Sequence, residues 1–186
     1  MTAPRPRAAQ TTLLVVDVQE RLLAAMPDAP GLVRDVGFLL DAANLLGVPA
    51  VATEQYPKGL GPTHPDLVRR LPADRPAKVA FSCCGIPGLA AGLTAGVVVA
   101  GMETHVCVLN TVLDLLDAGR TVFVPVDAVQ SRSRIDHDTA LRRMDRAGAV
   151  LTTAETTVFE WLGGSDHPQF KAASKLVQDR MKLLRG

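Results

Sequence analysis

Short apolar runs alternate along the chain with longer stretches in which apolar residues recur at helical spacing. Thr12-Leu13-Leu14-Val15-Val16 is a run of buried-strand type, and it stops at Asp17. Leu32, Val36, Leu39, Leu40 and Ala43 fall on one helical face, and Gly47 stands where a helix C-cap belongs. Val48–Ala52 reads as a second strand. Glu54–Pro65, with three Pro and two Gly, reads as a loop. A short helix over Pro65–Leu71, a weak third strand over Ala77–Phe81 and a short helix over Ile86–Leu93 follow. Gly96–Ala100 is the clearest buried strand, and Leu109, Val112, Leu113 and Leu116 then mark a helix ending at Gly119. The remainder reads as a strand over Thr121–Val126, a helix over Ile135–Ala147 and a strand over Ala149–Thr152. Thr153 is placed to cap a helix through Leu162. Pro168–Leu184 closes the chain as an amphipathic helix with Phe170, Ala173, Val177 and Leu184 on one face.

Strands alternating with helices imply parallel βαβ units, and strands that are apolar throughout imply a sheet covered on both faces. The expected fold is α/β: a three-layer α/β/α sandwich around a doubly wound, Rossmann-like sheet of six parallel strands in the order 3-2-1-4-5-6. Residues 1–10, with Pro4, Arg5, Pro6 and Arg7, read as a flexible N-terminal arm, and residues 11–186 as one domain. In such a sheet the site lies outside the carboxyl ends of the strands, where the strand order reverses.

Composition narrows the function. The 20 basic and 19 acidic residues leave a net charge of +1, which argues against a nucleic-acid partner. Five Phe, one Trp and one Tyr are too few for a base-stacking platform. Three cysteines without paired spacing fit a reducing compartment, so the expected location is cytoplasmic. No secretory signal or membrane span is read, hence no membrane partner. No Gly-x-Gly-x-x-Gly follows the first strand and no P-loop pattern occurs, so no cofactor is expected.

The carboxyl edge collects the candidate chemistry. Asp17 closes the first apolar run, where it either lines a cleft or caps the helix that follows. Lys78 lies inside an apolar stretch, as a functional cation or as an edge-strand lysine. After the fourth strand comes Gly101-Met102-Glu103-Thr104-His105-Val106-Cys107, leading into a helix. A thiol in a first helical turn feels the positive end of the helix dipole, which would depress its pKa below ~8.5; a buried cysteine that merely packs is the alternative. Cys83 and Cys84 lack that placement and read as packing residues.

Leu13-Leu14-Val15-Val16-Asp17-Val18-Gln19 resembles the opening strand of the isochorismatase-like cysteine hydrolases, and Gly101–Val108 resembles their nucleophile turn. Lys78 lies between the two in the family's order, and the resemblance runs from about Thr12 to Leu184. It implies an Asp17–Lys78–Cys107 triad, a cis Met102–Glu103 peptide, and an oxyanion hole from the Glu103 and Cys107 N–H groups. The implied reaction is hydrolysis of an amide or related C–N bond of a small molecule through a thioester, by a homo-oligomer. Gln19, Glu54, Gln55, Tyr56, Phe81 and Thr104 lie near the motifs and are the candidate substrate-pocket residues.

Two departures refine this expectation. The nicotinamidase branch carries an Asp-x-His and further His ligands after the second strand, where this chain has Thr53-Glu54-Gln55-Tyr56-Pro57-Lys58-Gly59. The four histidines, His64, His105, His137 and His167, are scattered, so no catalytic metal is expected. Isochorismate hydrolases typically have glycine at the position of Cys107. Vinyl-ether hydrolysis and a non-catalytic or redox-responsive thiol scaffold remain the alternative readings.

Overall fold

A computed structural model describes residues 3–185. Strand β1 (Thr11–Val16) leads through the single turn α1 (Glu20–Leu23) to the long helix α2 (Ala29–Leu46) and strand β2 (Ala50–Gln55). Two short turns, α3 (Pro57–Leu60) and α4 (Pro65–Val68), precede β3 (Ala77–Lys78), and α5 (Leu89–Gly92) precedes β4 (Gly96–Met102). Then come α6 (Leu109–Asp117), β5 (Thr121–Pro125), β6 (Val129–Gln130), α7 (Arg134–Ala147), β7 (Val150–Thr152), α8 (Ala154–Leu162) and α9 (Phe170–Arg185). The strands are parallel in the order β3-β2-β1-β4-β5-β7, with β6 pairing onto the end of β4. Apart from the two-residue β6, this is the sheet the sequence predicts.

The sheet is covered on both faces, and alternation along each strand decides which side chain goes where. Leu13, Val15, Val98, Ala100 and Phe123 pack beneath Val36, Leu39 and Leu40 of α2 and Val158 and Trp161 of α8. Leu14, Val16, Val97, Val99, Val122 and Val124 pack beneath Val112 and Leu115 of α6 and Ala140 and Met144 of α7. Helix α2 starts where the Asp28 carboxylate accepts the Gly31 N–H at 2.9 Å and ends at Gly47 in the left-handed conformation. Thr153 caps α8 as the sequence indicates.

Helix α9 is locked to the domain by Arg180, whose buried guanidinium donates to Asp35 at 2.8 Å and to Asp127 at 2.7 Å. It also lies 5.1 Å from the centre of the Phe38 ring. At the other end of the chain, Pro6 is buried and Ala8–Gln10 form a 3₁₀ turn. Of the segment read as an arm, residues 1 and 2 lie outside the described residues, as does residue 186. Among the described residues no helix is long and apolar enough to cross a membrane.

Two expectations need correction. The third strand is two residues long rather than five, because the carbonyls of Ala80 and Phe81 leave the ladder to accept from the Lys78 ammonium. The helix after β4 does not open at the cysteine. Thr104–Val108 form a π-helical turn ahead of α6, with the Val106 and Val108 N–H groups both donating to the Glu103 carbonyl.

Candidate active site

β1 hydrogen-bonds to β2 on one side and β4 on the other, so the sheet's switch point opens at their carboxyl ends. Asp17 is the first residue beyond β1, with φ of 52°, a left-handed conformation uncommon for a residue with a side chain. Gly101 in β4, paired with Val16 of β1, has φ of 117°, and a Cβ there would lie 2.2 Å from the Val16 carbonyl oxygen. This close approach packs the end of β4 against the end of β1. The Met102–Glu103 peptide in the turn is cis, as the family resemblance implies.

Lys78 reaches the site from two strands away. Its Nζ lies 2.7 Å from Asp17 Oδ2, with both side chains almost wholly buried. It also donates to Gln55 Oε1 at 2.6 Å and to the Phe81 and Ala80 carbonyls at 2.9 and 3.3 Å. An ammonium has three protons, so these acceptors saturate it, and Lys78 acts on the rest of the site by its charge. Burial pulls its pKa down, but the neighbouring Asp17 carboxylate more than compensates and the net direction is upward.

Cys107 is buried against this pair. Burial, reinforced by the Asp17 charge, pushes its thiol up to about 12, with Lys78 opposing. The direction is opposite to the depressed thiol that the sequence suggests, because burial and the Asp17 charge both favour the protonated form. Cys83 is also fully buried, its thiol pushed up to about 11 by burial and Asp17, and it lies 3.4 Å from Thr53 Oγ1.

The candidate pocket residues divide by placement. Gln19 is fully buried, its side chain satisfied by the Gln55 N–H and carbonyl and the Gly61 carbonyl. Gln55 spends its side chain on Lys78 and the Val79 carbonyl. Glu54 accepts from Thr63, and the Thr104 hydroxyl pairs with His137 Nδ1 at 2.9 Å. Only Tyr56 and Phe81 stand at the surface, 55% and 59% exposed. Sequence reading missed Thr53, which donates to Asp17 Oδ1 at 2.7 Å, and Arg132, which pairs with Glu103 at 2.8 Å. The only sequence signal for Thr53 is a polar residue closing the second apolar run. Among the described residues no group of three His, Cys, Asp or Glu is placed to hold a metal ion.

A buried carboxylate–ammonium pair at the switch point of a doubly wound sheet, facing a thiol on a tight turn, defines a hydrolase-like site, and comparison with known proteins gives it a family. The isochorismatase domain family model matches residues 11–156. Human isochorismatase domain-containing protein 2 is 40% identical over 190 residues, covering 96% of this chain and 91% of the human protein. The structure of a Caenorhabditis elegans protein called MAR1 ribonuclease superposes with a TM-score of 0.89 at 42% identity, covering 94% of this chain and 93% of that one. The Escherichia coli YcaC gene product, described as an octameric hydrolase of unknown specificity, superposes with a TM-score of 0.86 at 26% identity, covering 99% and 97%. The chain belongs to the isochorismatase family and is an isochorismatase-like hydrolase.

Proposed function

We propose that this hydrolase cleaves an amide or related C–N bond of a small molecule through a thioester on Cys107. The observation that carries the reading is the buried 2.7 Å Asp17–Lys78 pair facing the Cys107 thiol. Asp17 takes the thiol proton as sulfur attacks the carbonyl carbon. The oxyanion is held by the Glu103 and Cys107 N–H groups, a contribution on the order of 3–4 kcal/mol per donor. Asp17 then passes its proton to the leaving nitrogen and the C–N bond breaks. In the second half Asp17 deprotonates water, the hydroxide attacks the thioester, the C–S bond breaks and the proton returns to sulfur. Tyr56 and Phe81, the exposed members of the candidate set, are the side chains free to meet a substrate, while Gln19, Glu54, Gln55 and Thr104 are engaged within the protein. No metal or other cofactor enters these steps. Three free thiols support a cytoplasmic location, and the octameric YcaC relative supports a homo-oligomer.

A second reading, cleavage of RNA, follows from the name of the C. elegans relative; the near-neutral charge and scarcity of aromatics speak against it. The test is a panel of small amides, ureas, carbamoyl compounds, isochorismate and an RNA oligonucleotide, assayed with wild type and Cys107→Ala. Turnover of a C–N substrate that falls by about 10⁴-fold or more in Cys107→Ala is expected. Undiminished activity in that variant would contradict the thiol mechanism and favour vinyl-ether hydrolysis. Cleavage confined to the RNA would favour the second reading.

A further inference from the structure

Asp17 is held from a second side, by residues that the proposed mechanism does not use. Thr53 Oγ1 donates to Asp17 Oδ1 at 2.7 Å, in the interior of the protein. A hydroxyl has one proton to give. With that proton on the carboxylate, the contact of 3.4 Å between Thr53 Oγ1 and Cys83 Sγ runs the other way, with the Cys83 thiol donating. Cys83 is itself fixed, because its N–H donates to Thr111 Oγ1 at 2.9 Å. The Thr111 hydroxyl in turn donates to the carbonyl of Cys107 at 2.6 Å. Asp17, Thr53, Cys83 and Thr111 are all buried.

We infer that Thr53 and Cys83 are positioning residues for the base: a thiol–hydroxyl–carboxylate chain that fixes Asp17 Oδ1 and holds the carboxylate toward Cys107. Thr111 closes the frame by tying Cys83 to the backbone of the nucleophile. The inference rests on the reading that Asp17 takes the Cys107 proton, and it assigns a role to a second cysteine that otherwise only packs. A hydrogen bond donated to a carboxylate favours its charged form, and a chain of such bonds polarises along its length. The titratable groups facing Asp17 are Lys78 at the end of β3, Cys83 on the turn after it and Cys107 on the nucleophile turn. Replacing Thr53 by valine changes none of these groups and nearly preserves the volume of the side chain. Its effect on the base therefore reports the lost hydroxyl.

The test is the rate at which acrylamide alkylates Cys107 between pH 4 and 9, followed by peptide mass spectrometry. Wild type is compared with Thr53→Val, Thr53→Ser, Cys83→Ala and Asp17→Asn. Asp17→Asn removes the acid limb and slows the reaction at every pH above the wild-type midpoint. Thr53→Val moves the midpoint of the acid limb upward by about one pH unit, Thr53→Ser restores it, and Cys83→Ala moves it the same way by less. If Thr53→Val does not fold, Cys83→Ala decides, and a midpoint unchanged from wild type counts against the chain. Superimposable profiles for wild type and Thr53→Val, with Asp17→Asn still slow, overturn the inference and leave the base reading intact. An Asp17→Asn protein that reacts as fast as wild type overturns both.

Discussion

Cys107 carries the proposed chemistry, yet its surroundings hold it as a thiol. The same burial acts on Cys83, so two thiols ordinarily near 9.0 are pushed up to about 12 and about 11. A group whose pKa is raised by folding keeps its proton more tightly in the native state. Its contribution to stability is whole below pH 9 and drains away as pH rises through the folded values. Lys78, raised above 10.5, adds a loss of the same sign at still higher pH. The expected outcome is a denaturant midpoint that falls steeply between pH 9 and 11 in wild type. The fall should be shallower in a Cys83→Ala/Cys107→Ala double variant. Identical slopes would show that the two thiols titrate normally. At this scale Asp17 and Lys78 stand out in the sequence, because a charge that closes or interrupts an apolar run needs a reason, and the structure pairs them; it is the family resemblance that singles out Cys107. Thr53 does not stand out, since its partner is decided by strand register.

Among the elements, the junction of β1 and β4 matters most. Gly101 has a φ that side-chain-bearing residues rarely adopt, and a Cβ there would collide with the Val16 backbone at 2.2 Å. Gly101→Ala is expected to destabilise the fold by about 3 kcal/mol or more, combining strain at positive φ with overpacking. A chemical denaturation shift below about 1 kcal/mol would mean that the strands can part there without cost. Strand order and helix placement could be read from periodicity because a sheet covered on both faces writes unbroken apolar runs. The shortened β3 could not, because its ladder is given up to satisfy the Lys78 ammonium. The π turn around Cys107 and the two-residue β6 are too short to leave a period in the sequence.

For the whole molecule, exposed apolar side chains gather beside the site. Val79 is 81% exposed, and Tyr56 and Phe81 stand near it on the segments that also hold Lys78. A homo-oligomer of the kind the YcaC relative forms would give these three side chains cover. Sedimentation at micromolar concentration should show an assembly larger than a monomer, and a lone monomer would contradict the proposed oligomer. The cleft of about 830 Å³ beside Arg180, Asp127 and Glu155 lies at the joint of α2, α8 and α9, and Asp17, Lys78 and Cys107 are not among its lining residues. Its walls are held by the ion pairs that fasten α9.

The central claim is a covalent thioester on Cys107, and intact-protein mass spectrometry of acid-quenched turnover tests it most directly. With a C–N substrate from the panel, wild type should gain the mass of the acyl fragment on the peptide containing Cys107, and Cys107→Ala should gain nothing. Full turnover with no adduct at Cys107 under any quench time, and with Cys107→Ala equally active, would contradict the account.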